Sequence, residues 1–461
     1  MQRILFLSFI LLLASCSKNN ATTASNSGNK NPNQSDTIQY GTPFNGVPDP
    51  RDAVIYQVNM RCFSAAGNFQ GVIDRLDSIK ALGANVVYLM PIYPVGQVKS
   101  INSPYCIKND REVGSEFGTL SDLRNLVSDA HNLGMAVILD WITDGTSWDC
   151  SWIQNHPSWY VRDNSGTIQS PNGYTDIAEL NYQSQEMKDT IISNMKYWVK
   201  NANIDGFRCD FADFAPSDFW KQALDTLRKL SPAHRYILLA EGTRPANYAS
   251  GFDYNFGFNF YGTLKSIYAN DKSVQLIDNL NISEYQGAVS DTNQIVRYLT
   301  NHDVNSSDGT PLDLFGGKSG SMAAFVVVAY MKGVPFIYNG QEVATPFRLT
   351  FPFTSTKIDW SINPDVTAEY KKVIGFRDKN ETVRRGKLTS YDTFDVCAFT
   401  KTLNADTVFV IDNLRNNTVN FTVPGALSNS SWNDVFSGST VSLGNQVTLQ
   451  PYSYMVLENK H

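Results

Sequence analysis

Three acids stand at the ends of separate apolar runs in this chain. Asp210 follows Gly206-Phe207-Arg208-Cys209, Glu241 follows Ile237-Leu238-Leu239-Ala240, and Asp303 follows a run over 295–300 that ends in Asn301-His302. A fourth, Asp140, closes Ala136-Val137-Ile138-Leu139. Short aliphatic runs of this kind read as buried strands, so each acid marks a strand end. Alternate side chains of a strand share a face, which points Arg208 and Asp210 the same way. A guanidinium on that face holds a carboxylate ionised and fixes its rotamer, as a carboxylate nucleophile requires. Glu241 sits behind four apolar residues, whose low dielectric is expected to raise its pKa and keep its proton. One charged and one protonated carboxyl at a common mouth is the pair that glycoside hydrolysis needs. Asp303 then binds sugar hydroxyls and steadies a cationic transition state. Singly, each residue has a plainer reading. Arg208 and Asp210 fit a structural ion pair equally well, Asp140 a loop cap, Glu241 a salt-bridge partner and His302 a structural histidine. The joint pattern is what favours chemistry.

The elements that must position these acids alternate along the chain. Strands are expected over 53–63, 85–91, 136–141, 205–213, 236–241, 252–258, 295–300 and 334–338. Between them, 72–82, 120–133, 187–200, 219–230 and 322–331 have helical spacing. Gly83 and Gly134 read as helix stops and Ser121 as a cap. Near-continuous apolar strands alternating with helices predict an α/β fold, a (β/α)₈ barrel of parallel strands. In such a barrel the chemistry lies at the C-terminal ends of the strands, where the four acids fall. Residues 148–183 are too irregular for a simple connection and read as an excursion domain after the third strand. From residue 389 to 461, short alternating runs separated by turn residues predict a C-terminal antiparallel β-sandwich. The barrel is taken as 46–388.

The 461 residues carry a net charge of −6 with no long basic run, which argues against nucleic acid as a partner. Aromatic residues make up 12%, enough to furnish flat surfaces for sugar rings without requiring them. The six cysteines, at 16, 62, 106, 150, 209 and 397, have no metal-like spacing. They point to no disulfide framework, with Cys106–Cys150 the one pairing left open. At the N-terminus, Arg3 precedes an apolar run over 4–14 that is too short to span a bilayer and fits a signal peptide. It ends Leu13-Ala14-Ser15-Cys16, which resembles the lipobox of bacterial lipoproteins. That resemblance implies a signal peptide over 1–16, lipidation at Cys16 and a cell-envelope location on the periplasmic or cell-surface side. A plain secretory peptide is the alternative. Residues 17–45, almost free of apolar residues as far as Asp36, are expected to form a flexible tether.

Gly206-Phe207-Arg208-Cys209-Asp210, Ala240-Glu241 and Asn301-His302-Asp303 together resemble the α-amylase family of glycoside hydrolases. Asp176-Ile177-Ala178-Glu179-Leu180-Asn181, Ser103-Pro104-Tyr105 and Glu116-Phe117-Gly118-Thr119 resemble further family segments. The resemblance covers about 53–385. It implies Asp210 as nucleophile, Glu241 as acid/base and Asp303 as transition-state stabiliser. Tyr105, Arg208, His302 and Asp140 are implied as substrate contacts, and no cofactor is required. The implied reaction is retaining hydrolysis of α-glucosidic bonds in starch or maltooligosaccharides. A glucanotransferase shares the trio, and a non-catalytic glycan-binding protein is a third reading. The chain also departs from the pattern. Where the family has Asn-His after the third-strand aspartate, this sequence has Asp144-Gly145, so a sugar-binding histidine is absent. Asp213 and Phe214 replace a Lys-His pair, and Asn109-Asp110 replace Asp-Tyr. The family's calcium uses the missing Asn, and Asp144 is the candidate hard oxygen ligand in its place.

Overall fold

The computed structural model describes residues 38–460. Eight parallel strands close a barrel: β1 (Ile55–Val58), β2 (Val86–Leu89), β3 (Ala136–Trp141), β4 (Gly206–Cys209), β5 (Ile237–Ala240), β6 (Tyr254–Phe256), β7 (Gln294–Tyr298) and β8 (Val334–Tyr338). Each strand pairs with its sequence neighbours, and β8 closes on β1 through Phe336 opposite Ile55. Every residue of these strands is buried, because helices cover the outside and side chains fill the inside. The β4–β5 contact is close at Gly206. A Cβ on Gly206 would lie 1.9 Å from the Ile237 carbonyl oxygen, so only glycine fits there.

Several boundaries differ from expectation, each for a local reason. The first strand stops at Val58, since Asn59 is drawn into bonds with Tyr338 (Nδ2 to hydroxyl, 3.0 Å) and Asn339, and Met60–Phe63 turns into a helix. The expected 72–82 helix is two pieces, Phe69–Ile73 and Leu76–Leu82, broken at Arg75. The Leu120–Asn132 helix is capped by Thr119 and not Ser121. Thr119 Oγ1 accepts from the Asp122 N–H while Asp122 accepts from the Thr119 N–H, a reciprocal capping box. The strand expected over 252–258 shrinks to β6, because Phe258 starts the helix Phe258–Asn270.

The excursion begins earlier than residue 148. Gly145–Ser147 already pairs antiparallel with Ile177–Glu179, which ties both ends of the insertion beside β3. Cys106 and Cys150 are both free thiols, and Cys106 donates instead to the Asp176 carbonyl at 3.2 Å.

The C-terminal domain has two unequal antiparallel sheets. Six strands form the larger: β9 (Lys387–Ser390), β10 (Val396–Leu403), β11 (Asp406–Asn413), β13 (Ser430–Asp434), β14 (Thr440–Leu443) and β16 (Tyr454–Asn459). The smaller pairs β12 (Val419–Thr422) with β15 (Gln446–Leu449). Residue alternation divides the faces. Val396, Ala398, Phe409 and Ile411 meet the smaller sheet, while Cys397, Phe399, Val408 and Val410 join the barrel's core. The large sheet is thus covered on both sides.

That interface buries acids. Asp412 is fully buried and neither carboxyl oxygen has a partner among the described residues; burial pushes its pKa well up. Burial, with Asp278 beside it, pushes Asp392 to about 8. A raised carboxyl pKa means that the folded state binds the proton more tightly, so the associated stability is complete below about pH 4 and lost as pH rises through about 8. Asp392→Asn retains an acceptor for the Ala398 N–H (2.7 Å in the native protein) and removes the titration. Its melting temperature is expected to fall less than wild type's between pH 6 and 9, as scanning calorimetry at several pH values would register; parallel curves would refute the assignment.

The N-terminal segment is not free up to residue 45. The Tyr40 N–H donates to the Lys200 carbonyl (2.7 Å), Asn203 Nδ2 donates to the Thr42 carbonyl (2.9 Å), and Phe44 stacks on His131. These partners end the helices Gln185–Ala202 and Leu120–Asn132, at the N-terminal end of the barrel strands. Cys16, the signal peptide over 1–16 and the tether as far as residue 37 lie outside the described residues.

Candidate active site

At the opposite end of the barrel, one guanidinium organises three carboxyl groups. Arg208, 1% exposed, donates through Nη1 to Asp140 (2.7 Å) and Asp210 (2.6 Å), while Nη2 pairs with Glu241 at 2.6 Å. The β3–β4–β5 register sets this up, with Arg208 beside both Asp140 and Leu239. The expected one-to-one Arg208–Asp210 pair is therefore one-to-three. Three carboxylates against one cation leave an excess of negative charge. Burial, with Glu241, Asp140 and Asp144 nearby, pushes Asp210 well up, and Arg208 only partly opposes the rise. The cluster thus tends to retain a proton, which is what an acid-catalysed step consumes.

The expectation for Glu241 also changes. Its carboxyl does not end among apolar side chains. Oε1 meets Arg208, and Oε2 accepts the Phe211 N–H at 2.7 Å. That contact exists because Phe211 has φ +45°, a left-handed conformation costly for an aromatic residue. Glu241 clamps the turn through its backbone as well, donating to the Cys209 carbonyl (3.0 Å) and accepting from the Ala212 N–H (2.9 Å).

Asp140 is wholly buried beneath this pair. Tyr88 and Tyr105 (2.9 Å) donate to its Oδ2, and Tyr93 donates to its backbone oxygen at 2.8 Å. Asp140 and Arg208, expected as substrate contacts, instead lie under the cleft floor and hold the residues that line it. Tyr88 was not foreseen because it sits inside a continuous apolar run, and only the barrel's closure brings its hydroxyl to Asp140. Tyr105 stacks on His302 (centroids 5.3 Å apart, planes at 17°), and its hydroxyl lies 2.7 Å from His302 Nε2. Gln57 Nε2, a donor, lies 2.9 Å from Nδ1, so the proton of the neutral ring sits on Nε2. Burial and the Arg208 charge lower the His302 pKa to about 4, which keeps the ring neutral at neutral pH. Asp303 follows on the first turn of His302–Ser307, where Asn301 caps the Asp303 and Val304 N–H groups.

Asp210, Glu241 and Asp303 all line one cleft of about 630 Å³. Tyr105, Tyr174, Phe211, Phe258, Phe351 and Phe353 supply flat walls. Sequence reading missed most of these, since a lone aromatic residue in a loop carries no positional signal. The departures now have physical accounts. At Gly145 a Cβ would lie 2.8 Å from the Ala178 carbonyl oxygen, so the antiparallel pair excludes any side chain in the histidine's place. Asp213 accepts from the Thr243 N–H and Asn247 Nδ2 (2.9 Å each) and so pins the loop after β5. Asp110 is half-buried and accepts twice from Asn194 Nδ2. Among the described residues no group of three or more His, Cys, Asp or Glu side chains converges to hold a metal ion.

The family described as "Alpha amylase, catalytic domain" matches residues 30–176 and 157–350. Alpha-amylase 3 of Dictyoglomus thermophilum is 24% identical over 456 residues, spanning 83% of this chain and 90% of that protein. The alpha-1,4-glucan:maltose-1-phosphate maltosyltransferase of Rhodospirillum rubrum is 26% identical, spanning 77% of this chain and 56% of its own. The crystal structure of an α-amylase from Lactobacillus plantarum superposes with a TM-score of 0.79 at 25% identity, covering 89% of this chain and all of that one. With the barrel, the C-terminal sheets and the carboxyl cluster in place, these matches identify the chain as a member of the α-amylase family of glycoside hydrolases.

Proposed function

We propose that this enzyme is a retaining α-glucan hydrolase acting on starch or maltooligosaccharides. The observation that carries the reading is that Asp210 and Glu241 bind neighbouring nitrogens of one guanidinium, each at 2.6 Å, in a cleft shared with Asp303. Two carboxyls about one guanidinium apart suit the close spacing of retaining enzymes, about 5–5.5 Å, better than the wider gap of about 6.5–9.5 Å that admits a water in inverting ones. In the first step Asp210 attacks the anomeric carbon as Glu241 gives its proton to the departing glycosidic oxygen. In the second, the Glu241 carboxylate takes a proton from water, which attacks the same carbon and releases Asp210. Two inversions give net retention. Asp303 faces the charge that develops on the ring, and the aromatic walls hold glucosyl units by stacking. Release of reducing ends from maltooligosaccharides, first as the α-anomer, is the expected result; inert substrate or β-anomer would refute it. Transfer is the second reading, favoured by the maltosyltransferase relative, and products longer than the substrate would establish it.

The apolar run over 4–14 and the Leu13-Ala14-Ser15-Cys16 sequence support a lipid-anchored cell-envelope protein. Mass spectrometry of the mature N-terminus is expected to find acylated Cys16, and a mature chain beginning elsewhere would overturn this.

A further inference from the structure

Phe211 occupies a costly position. Its backbone sits at φ +45°, and the residue is 37% exposed in the wall of the cleft. A bulky residue persists in the left-handed region only where its surroundings fix it. A ring this open to the cleft gains little from packing in the free protein. Phe214, which packs on the barrel's core, braces it. The two rings stack with centroids 5.9 Å apart and planes at 20°, and Phe214 in turn meets Tyr182 edge-on at 6.2 Å.

The backbone fixes where this ring stands relative to the reaction. The Phe211 N–H donates to Glu241 Oε2 at 2.7 Å. Glu241 is the group that delivers a proton to the departing oxygen, so the residue bonded to its carboxyl lies on the leaving-group side of the bond being cut. Phe258, also 37% exposed, lines the same cleft after β6, and β4 and β6 flank the strand that ends at Glu241. Two open rings thus border the acid. Asp213, two residues on from Phe211, has its carboxyl spent on the Thr243 N–H and Asn247 Nδ2 (2.9 Å each).

We infer that Phe211, braced by Phe214, is a specificity-determining platform for the sugar on the leaving-group side. Its ring stacks on the apolar face of the departing glucosyl unit and, in the second step, on a sugar acceptor that competes with water. This rests on the glucan-cleaving reading. In the transfer step the bond from Asp210 to the anomeric carbon breaks, that carbon bonds to an acceptor hydroxyl oxygen, and Glu241 takes the hydroxyl proton.

The test supplies α-glucosyl fluoride as donor and maltose as acceptor to wild type, Phe211→Gly and Phe211→Tyr, and reads the initial ratio of trisaccharide to glucose. Glycine adopts φ +45° without strain and keeps the N–H that meets Glu241. The ratio is set within one glycosyl-enzyme, so it does not depend on how much of a variant is folded. A weakened Glu241 does not move it either, because the same carboxylate takes the proton from water and from sugar. Wild type is expected to form trisaccharide in proportion to added maltose. Phe211→Gly should need about 10-fold more maltose for the same ratio, the scale of one aromatic contact, while Phe211→Tyr, still flat, should match wild type. A Gly variant with the wild-type ratio would leave Phe211 a structural residue and overturn the inference. A Tyr variant as poor as the Gly variant, or glucose alone from wild type at every maltose concentration, would overturn it as well. Wild type that consumes neither the fluoride nor maltooligosaccharides would refute the underlying activity, a separate outcome visible before any variant is made.

Discussion

Asp210→Asn is expected to lower kcat on maltooligosaccharides by on the order of 10⁴-fold or more, with KM changed little. The amide is nearly isosteric and can keep one hydrogen bond to Arg208, which donates to Asp210 at 2.6 Å in the native site. It cannot form the covalent bond to the anomeric carbon, and losing a covalent nucleophile removes the whole two-step route. Because Arg208 still bridges Asp140 and Glu241 (2.7 and 2.6 Å), the fold and the cleft should persist. Substrate should then still bind, as calorimetry with a maltooligosaccharide would register. Reducing-end release equal to that of wild type would eliminate Asp210 as the nucleophile. For wild type, kcat/KM should decline as pH falls through the raised Asp210 pKa, because its ionised form attacks.

Glu241→Gln is expected to cost about 10²–10⁴-fold on maltooligosaccharides, the usual scale of general acid–base catalysis. The loss should depend on the leaving group. An α-glucosyl fluoride needs no proton on departure, so its first step should proceed at near wild-type rate in the variant and leave an accumulated glycosyl-enzyme. Mass spectrometry of the quenched enzyme would detect that species as a glucosyl increment on the peptide containing Asp210. Equal losses on the fluoride and the oligosaccharide would show that Glu241 acts by holding the Phe211 turn and not by moving a proton. The two are separable because the backbone contacts to Cys209 and Ala212 survive the substitution.

Much of this site was legible in the sequence because its chemistry and its barrel obey the same rule. An apolar run that ends on an acid reports both a buried strand and the place where a polar side chain emerges. Asp140, Asp210 and Glu241 are such cases, and Asp303 follows with one helical turn. What did not show was anything set by closure in three dimensions. Tyr88 is one buried aromatic among aliphatic neighbours until β2 and β3 lie side by side. The Phe211 N–H reaches Glu241 only through a left-handed backbone that no local propensity favours. Nor did the depth of Asp140 and Arg208 show, since residue spacing gives a face but not a depth. Within the C-terminal domain, β9 and β13 are hard to read from the sequence for a different reason. Their residues are mostly polar and half-exposed, so they carry little of the alternation by which a strand is recognised.

The docking of Tyr40 and Phe44 fixes where the leading segment enters the molecule, at the pole opposite the open mouth. The first described residues therefore begin on the face turned away from the substrate cleft. A polymer entering the cleft meets the aromatic walls, and its cut ends can leave without passing residues 38–45.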